Sequence, residues 1–241
     1  MSHPLVPVCI GILLLAGTTL AQNPLSVSKP EADNSVAAQL ASFQVAEGYE
    51  VNLFADESMG IANPVCFRWD AEGRLWVLCT WAYPQPKPGE KADDKLFILE
   101  DKDQDGKADK ISTFADGLNM PTGFALGHGG VYLAEGPDLL HLRDTDDDGK
   151  ADQREVLFTG FGTGDTHQNI NSLTWSPGGE LFFCQGLHCF SRVQTPWGIA
   201  RLDEHGSWRL RPLRRQLHTY RRTSGGGNPW GYAFGDWGEA F

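Results

Sequence analysis

Positive charge is scarce in this chain: 20 lysines and arginines stand against 31 acids, for a formal net charge of -11. Such a surface repels phosphate backbones and anionic headgroups, which excludes nucleic acid as a partner. A CxxCH haem attachment site is also lacking, because the spacing in "CQGLHC" at Cys184–Cys189 is wrong. Beyond the N-terminus no run is long and apolar enough to cross a membrane. The N-terminal run "LVPVCIGILLLAG" is itself too short to span, and no lysine or arginine precedes it. With the small residues of Thr19-Leu20-Ala21 after it, the run reads as an export signal over residues 1–21, cleaved after Ala21. The alternatives are a retained anchor or a buried strand. Export would place the chain in the periplasm or at the cell surface, an oxidising and calcium-rich setting. Loss of Cys9 would leave Cys66, Cys79, Cys184 and Cys189, as buried thiols or as one or two disulfides.

The remainder is built for a core, with 41% hydrophobic and 11% aromatic residues. Residues 22–42 are polar and turn-rich, as a linker is. Folding should start at Phe43, where "FQVAEGYEVNLFA" alternates like a half-buried strand. A repeat then organises the chain: "NPVCFRWDAEGRLWVLC", "MPTGFALGHGGVYLAEG", "NINSLTWSPGGELFFCQG" and "NPWGYAFGDWGEAF". Each places a large apolar residue (Trp69, Leu126, Trp175, Phe234) four positions before a glycine (Gly73, Gly130, Gly179, Gly238). An apolar strand, a glycine turn and an aromatic strand make a hairpin. One hairpin cannot bury its own apolar face, whereas hairpins stacked around an axis can. The expected fold is therefore all-β, a β-propeller over residues 43–241 with six blades in the complete protein and about four covered here, the chain being an incomplete piece. A β-sandwich is the competitor, and sandwiches do not repeat sequence this regularly.

A second duplication sits inside the first. "DKDQDGKAD" (101–109) returns as "DTDDDGKAD" (144–152), each between short apolar strands. Oxygens at alternate positions converge on one point and glycine allows the sharp turn, so each loop suits a hard cation, calcium. The expected ligands are Asp101, Asp103, Asp105 and Asp109 in the first loop. In the second they are Asp144, Asp146, Asp148 and Asp152, with Glu155 at the twelfth position making it the tighter site. A solvated acidic turn is the alternative, because Asp and Gly are good turn formers. Flanking strands exclude an EF-hand; the loops resemble those of integrin-type propeller hairpins.

The run "DTHQNINSLTWSPGGELFFCQGLH", with "VQTPWGIARL" and "NPWGYAFGDWGEAF", resembles the N-terminal propeller of large bacterial proteins labelled membrane-bound dehydrogenases. Those are similar to sorbosone dehydrogenase and soluble quinoprotein glucose dehydrogenase. The resemblance runs from about Phe43 to Phe241 and implies a sugar or alcohol dehydrogenase that uses pyrroloquinoline quinone. It further implies a haem-containing electron-transfer domain elsewhere in the complete protein. The family's catalytic histidine column falls on Asn169, and His167, two residues earlier, is the residue able to act as base. Asn169 and Asn228 are then the cofactor-binding positions. The arginine that the family places before Asn-Pro is Gly227 here. The competing class is a non-catalytic propeller that binds cell-surface polysaccharide or a partner protein. His188 in "QGLHCF" could line the same mouth, and "RLRPLRRQLHTYRR" from Arg209 is the only basic run.

Overall fold

The computed structural model describes residues 33–222 and 227–241, without the side chains of Arg221 and Arg222. The expected signal (1–21) and most of the expected linker lie outside the described residues. Two compact units divide at Val51 and Asn52.

The described part of the first unit, residues 33–51, holds one short helix, α1 (Val36–Ser42), capped by the Ser35 hydroxyl, which accepts from Ala38 N. The expected strand from Phe43 does not form. Phe43, Val45, Tyr49 and Val51 are all exposed, and no ladder partner meets them. Alternation alone does not make a strand; it needs a neighbouring edge to hydrogen-bond and a core to face.

The second unit is all β. Its first sheet is β1 (Pro64–Trp69), β2 (Leu75–Cys79), β3 (Asp94–Glu100) and β4 (Lys110–Leu118), antiparallel and in chain order. The second sheet repeats it with β5 (Pro121–Gly127), β6 (Gly130–Glu135), β7 (Asp138–Arg143) and β8 (Gln153–Thr159). The third begins with β9 (Asn171–Trp175) and β10 (Leu181–Gln185), then diverts into a separate hairpin, β11 (Phe190–Thr195) and β12 (Gly198–Asp203). It resumes with β13 (Gly206–Arg211) and β14 (Gln216–Arg222), giving the order β9-β10-β13-β14.

The sheets stack face to face, and the alternation of side chains along each strand decides which neighbour is met. In β2, Trp76 and Leu78 face a core shared with Phe124, Leu133 and Leu140 of the second sheet. Val77 and Cys79 turn the other way, onto Phe54, Ala55 and Ile61. In β6, Leu133 joins the first of these cores, while Tyr132 and Ala134 join Phe183, Leu181 and Trp208 of the third sheet. Strands buried on both faces read as continuous apolar runs, as "LFIL" and "VYLA" do. The first strands β1, β5 and β9 pack beside one another.

The glycine turns appear where the repeat places them, with one correction. Gly73, Gly179 and Gly238 have φ of 79°, 76° and 79°. In the second hairpin the left-handed positions are His128 and Gly129, at 52° and 72°. Gly130 is the first residue of β6 and is needed for another reason. A Cβ there would overlap the Leu142 carbonyl and lie 2.8 Å from Arg143 Cγ. The four cysteines Cys66, Cys79, Cys184 and Cys189 are free thiols, all but Cys66 fully buried. Burial pushes the Cys184 thiol up to about 11.

Candidate functional site

The loops at one end of the sheets are held by buried polar side chains. Asp94, fully buried at the start of β3, takes the Thr80 hydroxyl (2.7 Å) and Met120 N (2.8 Å) on Oδ2. Its Oδ1 takes Trp81 N (2.6 Å) and Ala82 N (3.0 Å). This anchors the proline-rich excursion after β2. In the third sheet Gln185 does the same work: its Nε2 donates to the Cys189, Leu202 and Glu204 carbonyls. Its Oε1 accepts from the Ser191 hydroxyl and the Trp208 indole.

Between β8 and β9 the chain "GFGTGD" lies directly on residues 188–192. Side chains at Gly160, Gly162 or Gly164 would strike the backbone of Arg192, Cys189 or His188. That close approach delivers Asp165 and His167. Asp165 caps the short 3-10 turn Thr166–Gln168, accepting from His167 N, and its Oδ1 is also 2.9 Å from His167 Nδ1. These bonds, the backbone one first, hold the Asp165 carboxyl below its usual range. The His167 side chain is 54% exposed, and its ring meets the edge of Tyr83 at 5.2 Å. A loop of the first sheet thus reaches a loop of the third. The arrangement orients an imidazole with its Nε2 left for a ligand proton.

Asn169 is 1% exposed and its Oδ1 has no partner. Asn228 is exposed, and its Oδ1 accepts from the Trp230 indole. Both flank one turn: Gly186 N donates to Gln168 O and Leu187 N to Gly227 O. His188 is exposed with φ of 63°. A residue that the sequence did not single out is Arg68. It lines a cleft of about 340 Å³ formed by β1, β5, β9 and Trp230–Tyr232, and its guanidinium donates to Leu173 O (3.2 Å) and Phe67 O (2.8 Å).

The acidic loops both join the third strand of a sheet to the fourth. In the first, oxygens of Asp101, Asp103 and Asp109 lie within 4.8 Å of one another; in the second, those of Asp144, Asp146 and Asp148 do. Asp105 and Asp148 each take the amide two residues on, a turn bond that shapes the loop. Asp152 is spent on the Thr145 amide and hydroxyl. Glu155 stands apart from the cluster, in β8 opposite His141, with its carboxylate bonded to Arg215. The twelfth-position acid therefore does not favour the second loop. The first loop has its own asymmetry: Asp101 Oδ1 is buried and without a partner. In the second, the charge of Asp148 raises the Asp146 carboxyl above its ordinary value.

No described helix is long and apolar enough to cross a membrane. No curated protein matches the chain. A family model described as a domain of unknown function, DUF7133, matches residues 35–241, which takes in both described units from α1 onward, and the chain belongs to that family.

Proposed function

We propose that this chain is an exported, calcium-binding β-propeller of a protein that acts on sugar or alcohol hydroxyls, in the manner of sorbosone and quinoprotein glucose dehydrogenases. The propeller reading draws support from one repeated bond. Ala151 N donates to Phe114 O, tying the second acidic loop to the outer strand of the first sheet. Ala108 N donates to Phe54 O in the same way, so "NLFAD" at Asn52–Asp56 stands to the first sheet as "STFAD" in β4 stands to the second. A segment that occupies an outer-strand position before the first sheet is what ring closure of stacked sheets uses.

The Asp165–His167 pair carries the functional reading. His167 would take the hydroxyl proton at Nε2 while Asp165 holds Nδ1 and the tautomer. Calcium fits the acidic loops: two oxygens at about 2.3–2.6 Å from one ion lie at most about 5 Å apart, which the clusters satisfy. The quinone does not fit. It carries several carboxylates, and Gly227 occupies the place of the expected arginine. Arg68, the cation lining the inner-strand cleft, already donates to two carbonyls. No step is drawn through that cofactor. The missing charge favours a second reading, in which the mouth binds glycan without redox chemistry.

The test has two arms. Thermal melts of the 241-residue chain in chelator and in millimolar calcium should differ by several degrees, because binding at a hundredfold excess over Kd adds about 2.7 kcal/mol per site; superimposable melts would overturn the calcium assignment. Aldoses, sorbosone and simple alcohols are then offered with calcium and an artificial electron acceptor, with and without added pyrroloquinoline quinone as the hydride acceptor. Turnover that falls about a hundredfold or more in His167→Ala supports the base, and turnover unchanged by it removes His167. Saturable sugar binding with no turnover selects the second reading.

A further inference from the structure

The loop that carries three clustered aspartates in the first two sheets is inverted in charge in the third. Between β13 and β14 the chain reads Pro212-Leu213-Arg214-Arg215. Residues 192–222 hold eight arginines, no lysine and two acids in a chain of net charge -11. Arginine without lysine points to planar, bidentate recognition of oxyanions, since the guanidinium fork matches a carboxylate or sulfate and an ammonium does not.

These residues border a built cleft. Arg211, Pro212, Leu213 and Arg214 form one side; His128 and the turn Gly178–Glu180 form the other, of a wide, solvent-open cleft of about 580 Å³. That lies inside the range of about 300–1,000 Å³ usual for ligand clefts. Glu180, its carboxylate, is committed to holding the arginines in place, with Oε1 2.6 Å from Arg211 Nε and 3.8 Å from Arg209 Nε. The terminal nitrogens of Arg211 and the whole guanidinium of Arg214 have no protein partner among the described residues. Beside them the tip of the inserted β11–β12 hairpin presents Trp197, 68% exposed, its indole donating to Arg214 O at 3.3 Å. Trp197 stands outside the cleft's own lining, tied to the backbone of its Arg214 side, and an exposed indole held at that rim is a platform for the sugar ring adjoining the one the arginines would hold.

We infer that this cleft, separate from the His167 mouth, binds an anionic polysaccharide through its carboxylate or sulfate groups, with Trp197 stacking on an adjacent ring. Charge alone would equally attract an acidic peptide; the tryptophan is what favours a glycan.

The experiment is a calorimetric titration of the 241-residue chain with a short oligogalacturonate, dextran sulfate, neutral dextran and poly-glutamate. Chelator is present throughout, so that calcium cannot bridge ligand to the acidic loops. Either anionic glycan should bind, neutral dextran should not, and affinity should fall at least tenfold between 50 and 200 mM salt for multiple ion contacts. Arg211→Ala with Arg214→Ala should weaken binding tenfold or more. Arg214→Lys, which keeps the charge, should weaken it at least threefold, and Trp197→Ala should weaken glycan at least fivefold. All three residues are exposed, so an unchanged melting temperature is expected for each variant and shows the loss to be local. His167→Ala should leave the titration unchanged, which separates this site from the mouth. Poly-glutamate binding as tightly as glycan, with Trp197→Ala neutral, overturns the proposal in favour of an acidic peptide. Loss of glycan binding in His167→Ala also overturns it, as does the absence of binding by both anionic glycans.

Discussion

Replacing Asp94 should damage both the fold and the meeting of Tyr83 with His167, by an amount that follows from its four hydrogen bonds. Each bond to a buried charge contributes about 1.5–3 kcal/mol, and a stranded donor loses its solvation. Simple addition would give about 6 kcal/mol or more, but bonds in one network are not independent. We therefore expect Asp94→Ala to remove about 3–5 kcal/mol, a large part of the 5–15 kcal/mol typical of a domain. Asp94→Asn separates charge from geometry. One carboxylate oxygen serves Trp81 N and Ala82 N, the other Met120 N and the Thr80 hydroxyl. Whichever way the amide turns, its NH2 faces a backbone N–H, and a loss of about 2–3 kcal/mol follows. Urea unfolding monitored by circular dichroism measures both losses. The His167 ring resonances report the second effect, because the excursion that Asp94 pins carries Tyr83 onto that ring. An Asn variant within about 0.5 kcal/mol of wild type, with those resonances unmoved, would refute the role assigned to Asp94.

Three further outcomes are expected. Gly130→Asn should cost more than about 3 kcal/mol, because its Cβ has nowhere to go. Gly73→Asn should cost under about 1 kcal/mol, since its Cβ meets open space and Asn accepts a positive φ; equal effects in chemical denaturation would contradict the assignment. Glu135 is held above the usual carboxylate range by burial, against the lowering effects of Arg154 and the Asn119 amide. A raised native value stabilises the fold at low pH, so wild type should lose ground to Glu135→Gln as pH climbs from the ordinary carboxylate range through the raised one, and a pH-independent gap would refute this. Cys184, pushed up to about 11, is about one part in a thousand thiolate at pH 8. It should resist iodoacetamide until the chain unfolds, when Cys66, Cys79, Cys184 and Cys189 should all alkylate without reductant; rapid native labelling of Cys184 would show that it is not buried as described.

The strands, the hairpin glycines and the acidic loops were legible in the sequence because each is a local device. Alternation, a positive φ and closely spaced carboxylates act within a few residues, and the duplication of both patterns announced the stacking of like units. Local rules failed where a partner was required. Residues 43–51 of the alternating run joined no edge, only its end at Phe54 and Ala55 reaching the first sheet, and Gly130 marks a collision with the Leu142 carbonyl that no hairpin pattern contains. The spacing that placed Glu155 with the calcium ligands was blind to Arg215, sixty residues away and bonded to that carboxylate. Asp165 stands two residues before His167 in the chain, so their pairing is local, while the meeting of Tyr83 with that ring depended on Asp94 folding a loop of one sheet towards another. The sequence by itself determined an all-β chain of repeated hairpins with two acidic loops, since those follow from backbone preference and charge over short distances. Only the tertiary structure decided that the four described cysteines are thiols, that Gln185 and Asp94 hold the loops at one end of the sheets, and that the arginine-rich turn faces His128 across a cleft. Those are contacts between residues far apart in the chain, set by which sheet faces share a core.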